Sequence, residues 1–150
     1  MSESLKSKTF RYIMNSFPAY FCTGAKVLYI SGDWKRVRVK ISLNFITRNY
    51  VKVIFGGSLY ASIDPVYMLL FMKILGKKYI VWDKAASIKF KRPGNTTLYA
   101  DFKIEDNEID FIKDTLEKQE TLERTYKVYY KDRDGKVFTQ FDKLLYFKKK

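Results

Sequence analysis

The stretch NYVKVIFGGSLYASIDPVYMLLFMKIL, residues 49–75, holds one acidic residue, Asp64, in a run with no other charge between Lys52 and Lys73. An ionised carboxylate among apolar side chains costs several kcal/mol unless a partner compensates it. From Gly56 to Leu75 the run is also long enough for a central helix. The fold and the function both depend on what this aspartate meets.

Segments on both sides of the run alternate between apolar and polar residues, as strands with one buried face do. Val37, Val39 and Ile41 alternate with basic residues, and Tyr126, Val128 and Tyr130 do the same near the C-terminus. In residues 77–91 the predicted apolar face is Ile80, Trp82, Ala86, Ile88 and Phe90, interrupted by Lys84. The predicted strands are Lys26–Ile30, Trp34–Leu43, residues 77–91, Leu98–Ile104, Arg124–Lys131 and Val137–Phe147.

Two shorter helices complete the prediction. Apolar residues at helical spacing before Pro18 indicate an N-terminal helical extension over residues 1–18. Ile109, Ile112 and Leu116 indicate a surface helix capped by Asp106 or Asn107. The predicted architecture is a single α+β domain over residues 1–150, an antiparallel β-sheet wrapped around one long central helix, with a basic tail at residues 148–150.

Composition limits the function. Lys and Arg number 29 against 16 Asp and Glu, a formal charge of +13, which favours anionic partners. With one cysteine, Cys22, and no histidine, the chain offers no internal disulfide, no metal site of the zinc type and no Ser-His or Cys-His pair. We see no secretory signal at the N-terminus, and a cytoplasmic location follows as an expectation.

The apolar run has three interpretations. It is a core helix whose Asp64 finds backbone donors or a lysine, a transmembrane helix, or part of a functional site. A central aspartate costs roughly 2.5 to 3.5 kcal/mol on insertion into a membrane, and the amphipathic strands need a helix to cover. We therefore expect no transmembrane segment.

In the functional interpretation, Gly56 and Gly57 allow close approach to a ligand, and the free N–H groups of the first helical turn polarise a carbonyl oxygen. Asp64 then acts as general base on water or as nucleophile. Eight residues separate Gly56 from Asp64, roughly 12 Å along a helix. One helix cannot supply both groups to one carbonyl, so a catalytic pair requires a symmetric dimer with two interfacial sites.

An asparagine, six residues, a glycine pair and an acidic residue seven positions later resemble the pattern of hotdog-fold acyl-CoA thioesterases of the phenylacetyl-CoA and 4-hydroxybenzoyl-CoA types. The matching positions here are Asn49, Gly56, Gly57 and Asp64. The wider match, including VWDKAASIKFKRPG, is most similar to an uncharacterised bacterial hotdog branch of unknown function. The chain departs from the pattern at Phe55, where many of those enzymes have histidine, and near Lys52, where a glycine is usual.

The resemblance implies a hotdog dimer, often paired into a tetramer, that hydrolyses an acyl thioester at the dimer interface. It implies catalytic roles for Gly56 or Gly57 and Asp64 and a supporting contact from Asn49, with coenzyme A entering only as part of the substrate. Residues expected to bind the substrate are Phe55 and Tyr60, with Tyr67 and Met68 as further candidates, and, for the phosphates, Lys84, Lys89, Lys91 and Arg92. The alternative is a non-catalytic hotdog protein that binds a fatty acyl chain or another apolar ligand.

Nucleic acid is a disfavoured partner. Tyr126, Lys127, Tyr129 and Lys131 interleave aromatic and basic residues as nucleic-acid-binding surfaces do. Strand alternation, however, turns Tyr126 inward and leaves an ordinary basic outer face.

Overall fold

The computed structural model describes residues 2–150, in which five helices and six strands form. The helices are α1 (Leu5–Ser16), α2 (Pro18–Phe21), α3 (Gly56–Ile63), α4 (Val66–Leu75) and α5 (Asp106–Leu116). The strands are β1 (Ala25–Ile30), β2 (Arg36–Ile41), β3 (Tyr79–Phe90), β4 (Leu98–Lys103), β5 (Thr121–Lys131) and β6 (Val137–Lys149).

The six strands form one antiparallel sheet in the order β1-β2-β4-β5-β6-β3. Helices α3 and α4 cover its inner face: the Tyr67 ring packs edge-on against Phe102 of β4, and Phe71 packs edge-on against Phe147 of β6. A helix that is apolar on most sides is thereby buried against strands with one apolar face. The predicted α+β arrangement of an antiparallel sheet around a central helix is confirmed.

Strand alternation correctly predicts most of the inner face. Val37, Val39 and Ile41 are buried while Arg36 and Arg38 are exposed. In β5, Val128 and Tyr130 are buried, Tyr126 is half-buried and the lysines between and beyond them point outward. These strands are regular, so side chains two residues apart share a face.

The edge strand β3 differs from the prediction. Trp82, expected to face the core, is 65% exposed, and Val81 beside it is buried. The pairing of β3 with β6 shifts between Asp83 and Ala85, which places a β-bulge at Lys84. The extra residue reverses which side chains point inward, so the predicted face holds for Ala86 and Ile88 but is wrong for Trp82. Phe90, also predicted on that face, is 59% exposed at the end of the strand.

Two element ends also differ. Strand β6 continues to Lys149, where it pairs with Tyr79, so the predicted basic tail is mostly strand. Helix α5 begins at Asp106 with Glu105 at the N-cap, and no side chain caps it. Asp106 instead lies in the first turn, where a negative charge is favourable.

The N-terminal helices are fastened to the domain at two points. Asn15 of α1 donates to the Val27 carbonyl (2.9 Å) and accepts from the Val27 N–H (2.8 Å). The buried Tyr20 hydroxyl of α2 donates to the carbonyl of Ser62 in α3 (3.1 Å). These bonds hold α1 and α2 beside the segment of the central helix that precedes Asp64.

Candidate functional site

The central helix is interrupted at Asp64 and Pro65. Helix α3 ends at Ile63 and α4 begins at Val66. Pro65 has no N–H to donate, and its ring crowds the preceding turn, which breaks a helix at this point. The Asp64 N–H still donates to the Tyr60 carbonyl (3.1 Å), so the carboxylate leaves the helix at a defined position. Pro65, from which the sequence predicts a kink at Asp64, thus divides the predicted central helix into two segments.

Asp64 meets a buried lysine. The Lys143 ammonium nitrogen lies 2.8 Å from Asp64 Oδ1 and 3.2 Å from Asp83 Oδ1. The Lys143 side chain is only 2% exposed, whereas 46% of the Asp64 side chain remains accessible. One ammonium thus lies between two carboxylates beneath the helix break, and it compensates the charge that the sequence left unexplained.

Burial and charge set the protonation of this cluster. Burial raises the pKa of the Asp83 carboxyl above its ordinary value, and the nearby Lys143 ammonium opposes that rise without cancelling it. Burial alone would lower the pKa of Lys143, but the carboxylates of Asp64 and Asp83 outweigh it and raise that pKa. Lys143 is accordingly a cation at neutral pH.

Sequence reasoning allowed a lysine as the partner of Asp64, but it identified neither Lys143 nor Asp83, the second carboxylate beside that ammonium. Phe141, Lys143, Leu145 and Phe147 alternate along β6, which places the lysine on the buried face between aromatic and aliphatic residues. That alternation was a usable signal for Lys143. Asp83 gave no such signal, because it turns inward only through the bulge at Lys84.

An apolar cavity of about 570 Å³ opens beside Asp64. Its walls come from the N-terminal helices on one side and the central helix on the other, and Asp64 supplies the only charged side chain among its lining residues. The lining residues are Phe10, Ile13, Met14, Phe17, Ala19, Tyr20, Thr23, Tyr60, Ala61, Asp64, Pro65 and Leu69. A cavity of this size and chemistry suits a small apolar ligand with one polar end.

The glycine turn lines a separate cleft of about 400 Å³. Asn49, Gly56, Lys91 and Arg92, all predicted site residues, lie together there. A side chain at Gly56 would come within 2.9 Å of the Phe90 ring, so glycine permits this close packing. Within residues 2–150 no acceptor takes the N–H of Gly56 or of Gly57, as expected for a first helical turn.

Asn49 has a structural role in the turn before the glycines. Its side-chain oxygen accepts from the N–H groups of Val51 and Val53, both at 3.1 Å. Lys52 between them has a φ of 65°, a left-handed conformation that glycine adopts with least strain. This is the region where the resembling enzymes carry a glycine. The predicted catalytic contact of Asn49 stays a prediction.

The other predicted binding residues divide between the two cavities and the surface. Tyr60 lines the Asp64 cavity, and the exposed Phe55 ring lies over Gly57. Lys89 is exposed, and Lys84 at the bulge pairs with Glu123. Tyr67 is not a cavity residue: it is buried and stacks on Tyr126, which is core packing.

Two further tests bear on ligand class and location. No group of three or more Cys, Asp or Glu residues in the described part of the chain is arranged to hold a metal ion. Residues Gly56–Leu75 are long and apolar enough to cross a membrane, a criterion that buried core helices also meet. The predicted cytoplasmic location stays a prediction.

Comparison with known families decides the relationship. Residues 6–146 match the family model "Domain of unknown function (DUF4442)". The chain belongs to the DUF4442 family. No curated protein matches this DUF4442 chain.

Solved structures with the same fold come from several bacteria. A Pseudomonas aeruginosa protein of unknown function, described as a probable thioesterase, superimposes with a TM-score of 0.86 at 14% identity, over 100% of both chains. A Chlorobaculum tepidum protein of unknown function gives 0.74 at 14% identity, over 97% of this chain and 95% of that one. A Shewanella oneidensis putative thioesterase gives 0.69 at 18% identity, over 96% and 97%. At these identities the likeness establishes the hotdog fold.

Proposed function

We propose that the protein hydrolyses acyl thioesters, with acyl-CoA as the substrate class and Asp64 as the base or nucleophile. The observation that carries this proposal is the Asp64 carboxylate in the wall of an apolar cavity, with one oxygen bound to a buried ammonium. The thioesterase descriptions of two structural neighbours are consistent with it.

The acyl chain occupies the cavity between the N-terminal helices and the central helix. Phe10, Ile13 and Phe17 present apolar surface there, and Ile13 and Phe17 are each 59% exposed. Each buried methylene contributes roughly 0.8 kcal/mol, so KM falls about fourfold per added methylene until the cavity is full.

A complete site uses two copies of the chain. Asp64 and Gly56 line different cavities of one protomer, so the glycine turn that polarises the thioester carbonyl comes from a partner. Strand β3 pairs only with β6 within residues 2–150, and its Trp82 and Phe90 side chains are exposed. An open edge strand with exposed aromatic residues favours self-association along that edge.

The phosphates of coenzyme A bind the basic residues near the glycine turn. Lys91 and Arg92 line the cleft that contains Gly56, and Lys89 precedes them on β3. Their charges attract the polyanionic part of the substrate. Lys84 contributes less, because Glu123 already pairs with it.

In the reaction with Asp64 as base, the carboxylate takes a proton from water while the water oxygen attacks the thioester carbonyl. The N–H groups of the glycine turn stabilise the negative oxygen that forms. Collapse of this intermediate breaks the C–S bond, and the proton on Asp64 passes to the departing thiolate. The products are a free carboxylic acid and coenzyme A.

Release of free CoA thiol from aliphatic and aromatic acyl-CoAs of graded length tests the proposal, with wild type compared with Asp64→Asn. We expect turnover by the wild-type protein and loss of about 10²-fold or more in kcat in the variant. Asp142→Asn on the outer face is the matched control and retains full activity.

If the wild-type protein is inert across the panel, the proposal is wrong. The apolar cavity beside Asp64 then favours the second candidate function, a carrier that binds an apolar ligand without turning it over. Binding of a fluorescent fatty acid in the cavity, unchanged by Asp64→Asn, would identify that function.

A further inference from the structure

We infer that Lys143 and Asp83 are positioning residues that hold the Asp64 carboxylate in its reactive orientation. This inference rests on the proposed hydrolysis and adds two residues that are outside the motif shared with known thioesterases. Neither needs to touch the substrate; both act through Asp64.

The position of Lys143 is unusual for a lysine. It lies on the inner face of strand β6, between Phe141 and Leu145, and its side chain is 2% exposed. Burying an ammonium there is costly unless opposite charges compensate it. The domain keeps the lysine at a position where an apolar residue would suffice for packing, and its ammonium lies under the helix break.

Only one oxygen of the Asp64 carboxylate is hydrogen-bonded within residues 2–150. Oδ1 accepts from the Lys143 ammonium at 2.8 Å, whereas Oδ2 takes no protein hydrogen bond from residues 2–150. A carboxylate held by one oxygen has a fixed orientation and a second oxygen that is free to accept a proton from water. This is the arrangement that a general base requires.

Asp83 fixes the lysine in turn. Its Oδ1 lies 3.2 Å from the ammonium in poor hydrogen-bond alignment, so the contact is mainly electrostatic. With a carboxylate on β3 and another at the helix break, the ammonium is attracted from two sides. The β-bulge at Lys84 is what turns Asp83 inward and completes this arrangement.

An ion cluster that only stabilised the fold would affect unfolding but not the chemical step. A positioning role predicts a split instead: kcat falls while KM stays constant, because the acyl cavity and the glycine cleft are untouched. The double variant Asp83→Asn/Lys143→Met is suited to this test, because it removes the buried ammonium and the half-buried carboxylate together and leaves no unpaired ion in the core.

The control is the pair on the opposite face of the sheet. Lys127 and Asp142 form an exposed ion pair of 2.7 Å, and the variant Lys127→Met/Asp142→Asn makes the same chemical change there. We expect the inner double variant to lose about 100-fold in kcat with KM within about twofold of wild type, and the outer variant to lose nothing.

A second variant guards against loss of folding. Lys143→Arg keeps the charge but moves the donor atoms, and we expect it to lose about tenfold in kcat at constant KM. Each variant is first confirmed to be folded by circular dichroism.

The inference is overturned if the folded double variant, or folded Lys143→Arg, keeps kcat within about twofold of wild type while Asp64→Asn abolishes turnover. In that case the proposed hydrolysis would still stand. Wild-type protein without turnover would overturn both. The positioning role is supported if kcat falls at constant KM in the inner double variant while the outer double variant keeps the kcat of wild type.

Discussion

Two lysine–aspartate pairs involve strand β6 on opposite faces of the sheet. On the inner face Lys143 lies 2.8 Å from Asp64, and on the outer face Lys127 lies 2.7 Å from Asp142. The distances are nearly equal, but the Lys143 side chain is 2% exposed and that of Lys127 is 58% exposed. Exposure to solvent, more than distance, therefore determines how much an ion pair contributes to stability.

At the outer pair, water screens the attraction and each side chain loses entropy when it is held in place, so little net stability results. At the inner pair, desolvation is costly, and removal of one partner leaves a charge without compensation. The same chemical groups therefore serve solubility on one face and, in our proposal, orient a reactive carboxylate on the other.

The largest expected effect is on stability. Lys143→Met leaves the half-buried Asp83 carboxylate without a compensating charge, and we expect the free energy of unfolding to fall by about 3 kcal/mol. Urea denaturation measures this change. Lys127→Met, the surface equivalent, leaves the midpoint unchanged within error, and an equal loss in the two variants would contradict the distinction between the pairs.

A smaller effect shows how much of this loss comes from the unpaired Asp83 carboxylate and how much from the missing lysine side chain. Adding Asp83→Asn to Lys143→Met removes the uncompensated carboxylate, and we expect recovery of about 2 of the lost 3 kcal/mol. The same urea titration reports the recovery. If the double variant is no more stable than Lys143→Met alone, the unpaired charge is not the cause of the loss.

The smallest effect appears in the pH dependence of stability. Burial raises the pKa of Asp83 in the folded protein, so its contribution to stability is fully present below the unfolded value of about 3.9 and is lost as pH rises through the raised folded value. The hydrogen bond from Lys127 lowers the pKa of Asp142, whose contribution is present above the unfolded value and is lost as pH falls through the lowered one.

The two asparagine variants should therefore diverge. Relative to wild type, Asp83→Asn becomes more stable as the pH rises above about 3.9. Asp142→Asn becomes less stable relative to wild type as the pH rises towards about 3.9 from below. Thermal unfolding between pH 3 and 7 measures both trends. Parallel trends in the two variants would contradict the opposite directions of the pKa shifts of Asp83 and Asp142.

The regular parts of the fold were predictable from sequence. Alternation placed Val37 and Val39 inside because an unbroken strand has a strict two-residue period. The run in which Asp64 is the only charge between Lys52 and Lys73 identified the central helix, and Pro65 marked the position of its break. These patterns predicted an antiparallel sheet around that helix, and the resemblance to hotdog thioesterases then implied the hotdog fold.

The parts that sequence did not predict depend on local irregularity and on distant contacts. One bulge residue at Lys84 turned Trp82 outward and Asp83 inward, and no pattern in the strand marks it as a bulge. Lys143 was readable as an inward residue, but its partners come from a helix 79 residues away along the chain and from the bulged strand.

In the proposed mechanism, Asp64 of one copy and the glycine turn of another act on the same thioester. Mixing two inactive proteins tests this: Asp64→Asn, and Gly56→Pro, in which proline at the first helical position removes an N–H without breaking the helix. The exposed Phe90 ring has to shift to admit the proline side chain. Both are first confirmed to be folded and to have the wild-type oligomeric state. After subunit exchange, random pairing restores one intact site in half of the dimers, and we predict about a quarter of wild-type turnover. No recovery, with exchange confirmed by mass spectrometry, would contradict a site shared between two copies.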